Sequence, residues 1–201
     1  MTKVLSNFIQ IKEAKIHFLE VGNSQNPSVL FLHGASFKAK TWQEIGTLEL
    51  MGQNQYHAIA VDLPGYGKSQ SFSGNRVELL LELIDHLNLS GCVLVSPSMS
   101  GNYSLPFIAQ HSDRLGGFVA VAPVGIPQMV EHLQRISLPT LAIWGSNDRI
   151  VPLDHAKLLQ QFMPNVQIVI LEQAGHACYM KATPKFHEHL MEFVNRINSH
   201  S

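Results

Sequence analysis

Five short runs that are almost wholly apolar, VLFL, CVLV, FVAVA, TLAIW and QIVIL, recur along this 201-residue chain. A strand with one wet face alternates apolar and polar residues. A continuous apolar run bounded by turn residues is what a strand covered on both faces requires. Strands are therefore expected at Lys15–Glu20, Ser28–Leu32, His57–Asp62, Gly91–Ser96, Gly117–Ala122, Thr140–Gly145 and Val166–Leu171. Between them the apolar spacing becomes helical. Asn75–Leu87 puts Val77, Leu80, Leu81, Ile84 and Leu87 on one face, and Leu153–Phe162 carries Ala156, Leu158, Leu159 and Phe162. Pro184 opens a last helix through Phe186, Leu190, Phe193, Val194 and Ile197. Alternating β and α predicts an α/β fold, doubly wound, with a mostly parallel sheet and helices on both faces. The segment before Ser28 has no helix after it and is expected as an antiparallel edge. With no repeat or linker in sight, residues 1–201 read as a single domain.

Composition narrows the function classes. Charged residues are 14% of the chain against 45% hydrophobic, which excludes a disordered chain and allows a core without staples. Lys and Arg (14) balance Asp and Glu (15), and no basic stripe argues for nucleic acid. Cys92 and Cys178 fit no CxxC pattern, so neither a zinc site nor a disulfide framework is expected. The segment MTKVLSNFIQIKEAK lacks a signal-peptide apolar core, and no run nears the ~20 residues of a membrane span. A cytoplasmic chain with no membrane partner is expected.

Ligands of open α/β sheets bind beyond the carboxyl ends of the strands. Five loops there carry chemistry: His33-Gly34-Ala35, Asp62 to Ser69 (DLPGYGKS), Ser96 to Gly101 (SPSMSG), Gly145 to Asp148 (GSND) and Ala174-Gly175-His176. A serine on a strand-to-helix turn, an acid after a later strand and a histidine after the last one give the order Ser98, Asp148, His176. A serine hydroxyl is a weak nucleophile until an imidazole takes its proton, and a carboxylate must hold that imidazole in the right tautomer. The helix expected from about Ser100 would favour developing negative charge at its N-terminus. The N–H of Met99 is one expected oxyanion donor, and that of Ala35 the second.

HGA, DLPGYGKS, the serine turn, GSNDRIVP and AGH together resemble the α/β-hydrolase superfamily, from about Lys15 to Asn198. Within it, TWQEIGTLEL, SPSMSGNYSLPFI and AGHACYM resemble the α/β-hydrolase-domain-containing protein 14 family. That family carries S-x-S-x-S in place of G-x-S-x-G, as Ser96, Ser98 and Ser100 do here. The resemblance implies a catalytic Ser98, Asp148 and His176 and small-acyl ester hydrolysis. For one branch it implies removal of acetyl groups from lysine with transfer to coenzyme A.

Structural readings stand beside these. Ser96 and Ser100 are rival nucleophiles within the turn, and Asp154 rivals Asp148, although its place at a helix start suits a dipole partner. His155, His187 and His189 fall on helices. His33 reads as a buried structural histidine, DLPGYGKS as a turn, and Cys178 as a small packed residue. Trp42, Phe37, Tyr103 and Tyr179 could line an acyl pocket or belong to the core. Only Pro123 to Leu138 separates two central strands, room for one helix and no lid domain, so the site should be open. No metal or cofactor is expected, unless coenzyme A accepts the acyl group. Its anionic nucleotide would need cations, for which Lys38, Lys40, Lys68 and Arg149 are candidates. The expected partner is a small-molecule or acylated-lysine substrate. The alternatives are a non-catalytic scaffold that keeps the fold, and C–C bond cleavage on the same triad.

Overall fold

The computed structural model describes residues 3–89 and 91–199; Ser90 and the two residues at each end of the 1–201 span lie outside the described residues. Among the described residues the strands are β1 (Leu5–Ile11), β2 (Ala14–Val21), β3 (Ser28–Phe31), β4 (His57–Val61), β5 (Cys92–Pro97), β6 (Leu115–Val121), β7 (Thr140–Gly145) and β8 (Val166–Leu171). They form one sheet in the order β1-β2-β4-β3-β5-β6-β7-β8. β1 and β2 run antiparallel, β2 pairs antiparallel with β4, and every other pairing is parallel.

The helices are α1 (Ala39–Glu44), α2 (Thr47–Gln53), α3 (Arg76–His86), α4 (Gly101–His111), α5 (Ile126–Leu133), α6 (Asp154–Phe162), α7 (Cys178–Lys181) and α8 (Thr183–Asn198). Two layers cover the sheet. Leu79, Leu83, Leu105, Ile108, Leu133 and Leu159 from α3 to α6 pack into the core on one face. Trp42, Leu48, Tyr179, Phe186 and Leu190 from α1, α2, α7 and α8 form that on the other. The central strands β4, β5 and β7 are buried along their whole length, as their unbroken apolar runs require. β8 is an edge strand: the middle of QIVIL is half-buried, so its run reports one well-covered face rather than two. Asn75 caps α3 by accepting the Val77 N–H at 2.8 Å.

The edge before Ser28 is antiparallel, as expected, but it holds two strands. The strand expected at Lys15–Glu20 is β2, and β1 lies outside it. β1 is the outermost strand and is largely exposed, Leu5 and Phe8 included. Between β6 and β7 stands α5 and no inserted lid.

The order of the strands fixes where a ligand can enter. From β3 the chain passes through α1 and α2 to β4 on one side, then through α3 to β5 on the other side of β3. The helices that follow the neighbours β3 and β5 therefore lie on opposite faces, and their carboxyl ends open into a crevice between them. The β3 loop and the Ser98 turn both emerge there.

Candidate active site

β5 ends at Pro97, and Ser98 turns the chain with a left-handed backbone, φ 53°. For a residue with a Cβ that conformation is strained, and here it aims Oγ away from the strand it follows. A 3₁₀ turn, Ser98–Ser100, runs directly into α4. The Ser98 carbonyl is held by the Val124 N–H at 2.9 Å.

The flanking serines point elsewhere. Ser100 Oγ donates to the Pro97 carbonyl at 2.7 Å, and Ser96 Oγ lies 2.9 Å from Ser100 Oγ and 2.7 Å from Ser104 Oγ. All three are fully buried. The hydroxyls that replace glycine hydrogens thus satisfy one another beneath the turn, and neither Ser96 nor Ser100 reaches the imidazole. The crowding that the usual motif meets with glycine has moved one residue on. A Cβ at Gly101 would stand 2.2 Å from the Val124 carbonyl oxygen.

Asp148 and His176 arrive from β7 and β8. Asp148 Oδ1 accepts the N–H groups of Ile150 (2.8 Å) and Val151 (3.0 Å), which fixes the carboxylate in its own loop. Its other oxygen, Oδ2, lies 2.8 Å from His176 Nδ1, and His176 Nε2 lies 2.8 Å from Ser98 Oγ. A carboxylate can only accept, so Nδ1 carries the proton and Nε2 is left to accept from the serine hydroxyl. The Asp148 side chain is 1% exposed and that of His176 17%, a buried acid behind a partly open base.

Their two loops are zipped together, mostly backbone to backbone. Asn147 N–H donates to the Ala174 carbonyl (2.9 Å), Ser146 N–H to that of Leu171 (3.0 Å), and Gln173 N–H to Ser146 Oγ (2.9 Å). A Cβ at Gly145 would fall 2.3 Å from the Gly175 carbonyl oxygen, so only glycine allows this approach.

The β3 loop supplies the opposite wall. Gly34 packs against Ser98, its Cβ position 3.3 Å from the Ser98 Cβ and 3.4 Å from the Phe37 ring. The next N–H, that of exposed Ala35, has no acceptor among the described residues. Met99 lies in the first turn of the helical segment, where N–H groups lack an intrahelical acceptor. His33 shapes this loop: Nδ1–H donates to the Gly34 carbonyl (2.8 Å) and Nε2 accepts from Leu63 (2.9 Å). Burial pushes its pKa down, against the Gly34 carbonyl and Asp62, so it sits as the neutral ring that this pattern needs. It is the structural histidine the sequence suggests.

Asp154 is exposed and pairs with Lys157 in the first turn of α6, as expected of a dipole partner. Cys178 is buried and its thiol pushed up to about 12 by desolvation first, which makes it a packed residue. Of the four aromatics, Trp42, Tyr103 and Tyr179 belong to the core, Tyr179 stacked on Trp42. Phe37 is half-buried beside Gly34. Lys38, Lys40 and Lys68 gather at a cavity against β1 and β2, lined by none of Ser98, Asp148 or His176; Arg149 is not part of it. Among the described residues no group of three or more His, Cys, Asp or Glu could hold a metal ion, and no helix is long and apolar enough to cross a membrane.

The fold and this constellation define an α/β hydrolase. The model of the "Alpha/beta hydrolase family" matches residues 29–139, and that of the "alpha/beta hydrolase fold" residues 127–183. Protein ABHD14A of Danio rerio is 42% identical over 180 residues, 85% of this chain; the chain spans 65% of that protein, less than two thirds of its length. "Putative protein-lysine deacylase ABHD14B" of Rattus norvegicus is 34% identical over 94% of this chain and 95% of its own length. Among solved structures, a "predicted CIB-like hydrolase" from Thermoplasma acidophilum superposes with a TM-score of 0.92 at 23% identity, covering 98% of this chain and 100% of that one. The chain belongs to the ABHD14 family of α/β hydrolases, and it is an enzyme of the hydrolase type.

Proposed function

We propose that this enzyme hydrolyses esters or amides of small acyl groups through an acyl-enzyme on Ser98. The hydrogen-bonded chain from Ser98 Oγ through His176 to Asp148, on a turn with φ 53°, is the observation that carries the reading. Ser98 Oγ attacks the acyl carbon as its proton passes to His176 Nε2, and Asp148 stabilises the imidazolium. The oxyanion meets the N–H groups of Met99 and Ala35 at the mouth of the crevice. Collapse of the adduct breaks the bond to the alcohol or amine, which leaves with the proton from His176. Water, deprotonated by the same nitrogen, then attacks the acyl-enzyme; the acyl–Oγ bond breaks, the acid leaves, and Ser98 Oγ takes the proton back from His176.

The substrate class follows from the open top of the site. With no lid inserted between β6 and β7, a small acyl group can enter while the rest of the molecule stays outside. An acylated lysine side chain on a peptide has that shape. The name of the rat relative, a protein-lysine deacylase, supports it. The mechanism requires neither metal nor cofactor. Two free, buried thiols suit a reducing compartment, the cytoplasm.

Intact-protein mass after treatment with a fluorophosphonate tests the reading on wild type and Ser98→Ala. One adduct on wild type and none on the variant is expected. No adduct on wild type overturns it in favour of a non-catalytic scaffold. Product analysis on an acetyl-lysine peptide then identifies the acceptor: free acetate means water, and acetyl-coenzyme A means transfer to the thiol.

A further inference from the structure

A cavity of about 340 Å³ opens at the sheet edge, between the β1–β2 hairpin and the start of α1. Ser6 and His17 line it from the hairpin, Lys38 and Lys40 from α1 and its approach, and Asp62 and Lys68 from the loop after β4. On its floor, Asp62 Oδ2 lies 2.7 Å from His17 Nδ1, and His17 Nε2 lies 2.9 Å from Ser6 Oγ. His17 and Asp62 are buried, 4% and 3% exposed.

This repeats the serine–histidine–aspartate contacts of the Ser98 site without its chemistry. Ser6 sits on a regular strand with its backbone in register with Leu19. It has neither a left-handed turn nor a helix N-terminus to gather oxyanion donors. What the arrangement offers instead is binding. The Asp62 carboxylate is already engaged by three N–H groups: Oδ1 accepts from Ala39 (2.8 Å), and Oδ2 from Lys68 (2.9 Å) as well as His17. The lysine head groups are not so engaged. Lys38 and Lys68 have no carboxylate partner among the described residues, and Lys40 reaches only the exposed Glu44 at 3.3 Å. Among the described residues, three lysines and no unengaged carboxylate therefore line the cavity. Val4 and Leu19 add an apolar wall.

Ammonium groups act as point charges for phosphoryl oxygens. The volume sits at the small end of the ~300–1,000 Å³ range of small-molecule sites. We propose that this cavity is a second binding site, separate from Ser98, for a phosphoryl group, either free or carried on a small ester whose organic part lies against Val4 and Leu19. It does not depend on what Ser98 does.

Titration with phenyl phosphate, inorganic phosphate and neutral phenol tests it at constant ionic strength, by calorimetry and by the NMR shifts of the histidine ring protons. Saturable binding of phosphate or its phenyl ester is expected, with none for phenol, and with His17 shifting while His176 does not. Tighter binding of phenyl phosphate assigns the site to esters; equal affinity assigns it to the free anion. Lys38→Gln/Lys68→Gln changes two exposed side chains, so its thermal midpoint should match wild type while affinity falls about tenfold or more. Ser98→Ala should bind as wild type does. Absence of saturable binding, an unchanged affinity in the double variant, or shifts at His176 in place of His17 would overturn the proposal.

Discussion

A Cβ at position 101 would stand 2.2 Å from a carbonyl oxygen and 2.8 Å from Pro123 Cβ, and neither neighbour is the free end of a flexible side chain. Gly101→Ala should therefore lower stability by about 1–3 kcal/mol, as small-to-large changes in packed sites do, and loosen the turn that presents Ser98. Urea unfolding read together with the rate of fluorophosphonate labelling checks both effects. Ser100→Ala is the contrast. It loses the bond to Pro97 O while Ser96 keeps Ser104, a cost of about 0.5–1.5 kcal/mol with the nucleophile still presented. At the acid, Asp148→Asn keeps the shape but offers an amide where an acceptor must hold the Nδ1 proton. On the proposed mechanism kcat should fall about 10³- to 10⁴-fold with KM little changed, measured on an acetyl ester. Ser98, Asp148 and His176 were legible from chain order because each follows a strand at the same end of the sheet. The inward turn of Ser96 and Ser100 was not. It depends on Ser104, eight residues beyond Ser96, and on which way each hydroxyl swings.

At the scale of elements, the β3 loop depends on a neutral imidazole. The unfolded chain protonates histidine near ~6.5, whereas burial holds folded His33 below that value. Between the two values the unfolded state binds more protons, so stability is full above about pH 6.5 and is lost as the pH falls toward the folded pKa. Half-buried His187, its pKa also lowered by desolvation, contributes with the same sign. His33→Gln keeps one donor and one acceptor but cannot titrate, so the loss of urea midpoint from about pH 7 to about pH 5 should be smaller than in wild type. An equal slope in the two proteins would assign the effect elsewhere. The elements the sequence hid were missed for two reasons: helices too short for periodicity to show, and a strand without an apolar run. α1 and α2 are six and seven residues long and are separated by Gly46 in a left-handed conformation, so AKTWQEIGTLELMGQ carries no sustained helical stripe. β1 is half exposed and lacks the unbroken apolar run that betrayed the central strands.

For the whole molecule, substrate size is the exposed question. A single helix, α5, joins β6 to β7, and no apolar roof stands there to receive a long acyl chain. Across a series of p-nitrophenyl esters, kcat/KM should be highest for acetyl or butyryl and fall for long chains. A rise with chain length would sink the open-site account. The doubly wound fold was readable from the alternation of runs and helices. The strand order was not, because periodicity does not say which side of β3 receives β5, and the crevice depends on that choice.

The backbone zipper between the loops bearing Asp148 and His176 has a mechanical consequence. Those loops extend from adjacent strands, β7 and β8, and are hydrogen-bonded to each other beyond the sheet. Ser98 belongs to β5, with β6 between. Acid and base thus ride as one rigid jaw and the nucleophile on another. A shear between β5 and β7 is therefore expected to lengthen the serine–imidazole contact first and to leave the carboxylate–imidazole pair intact.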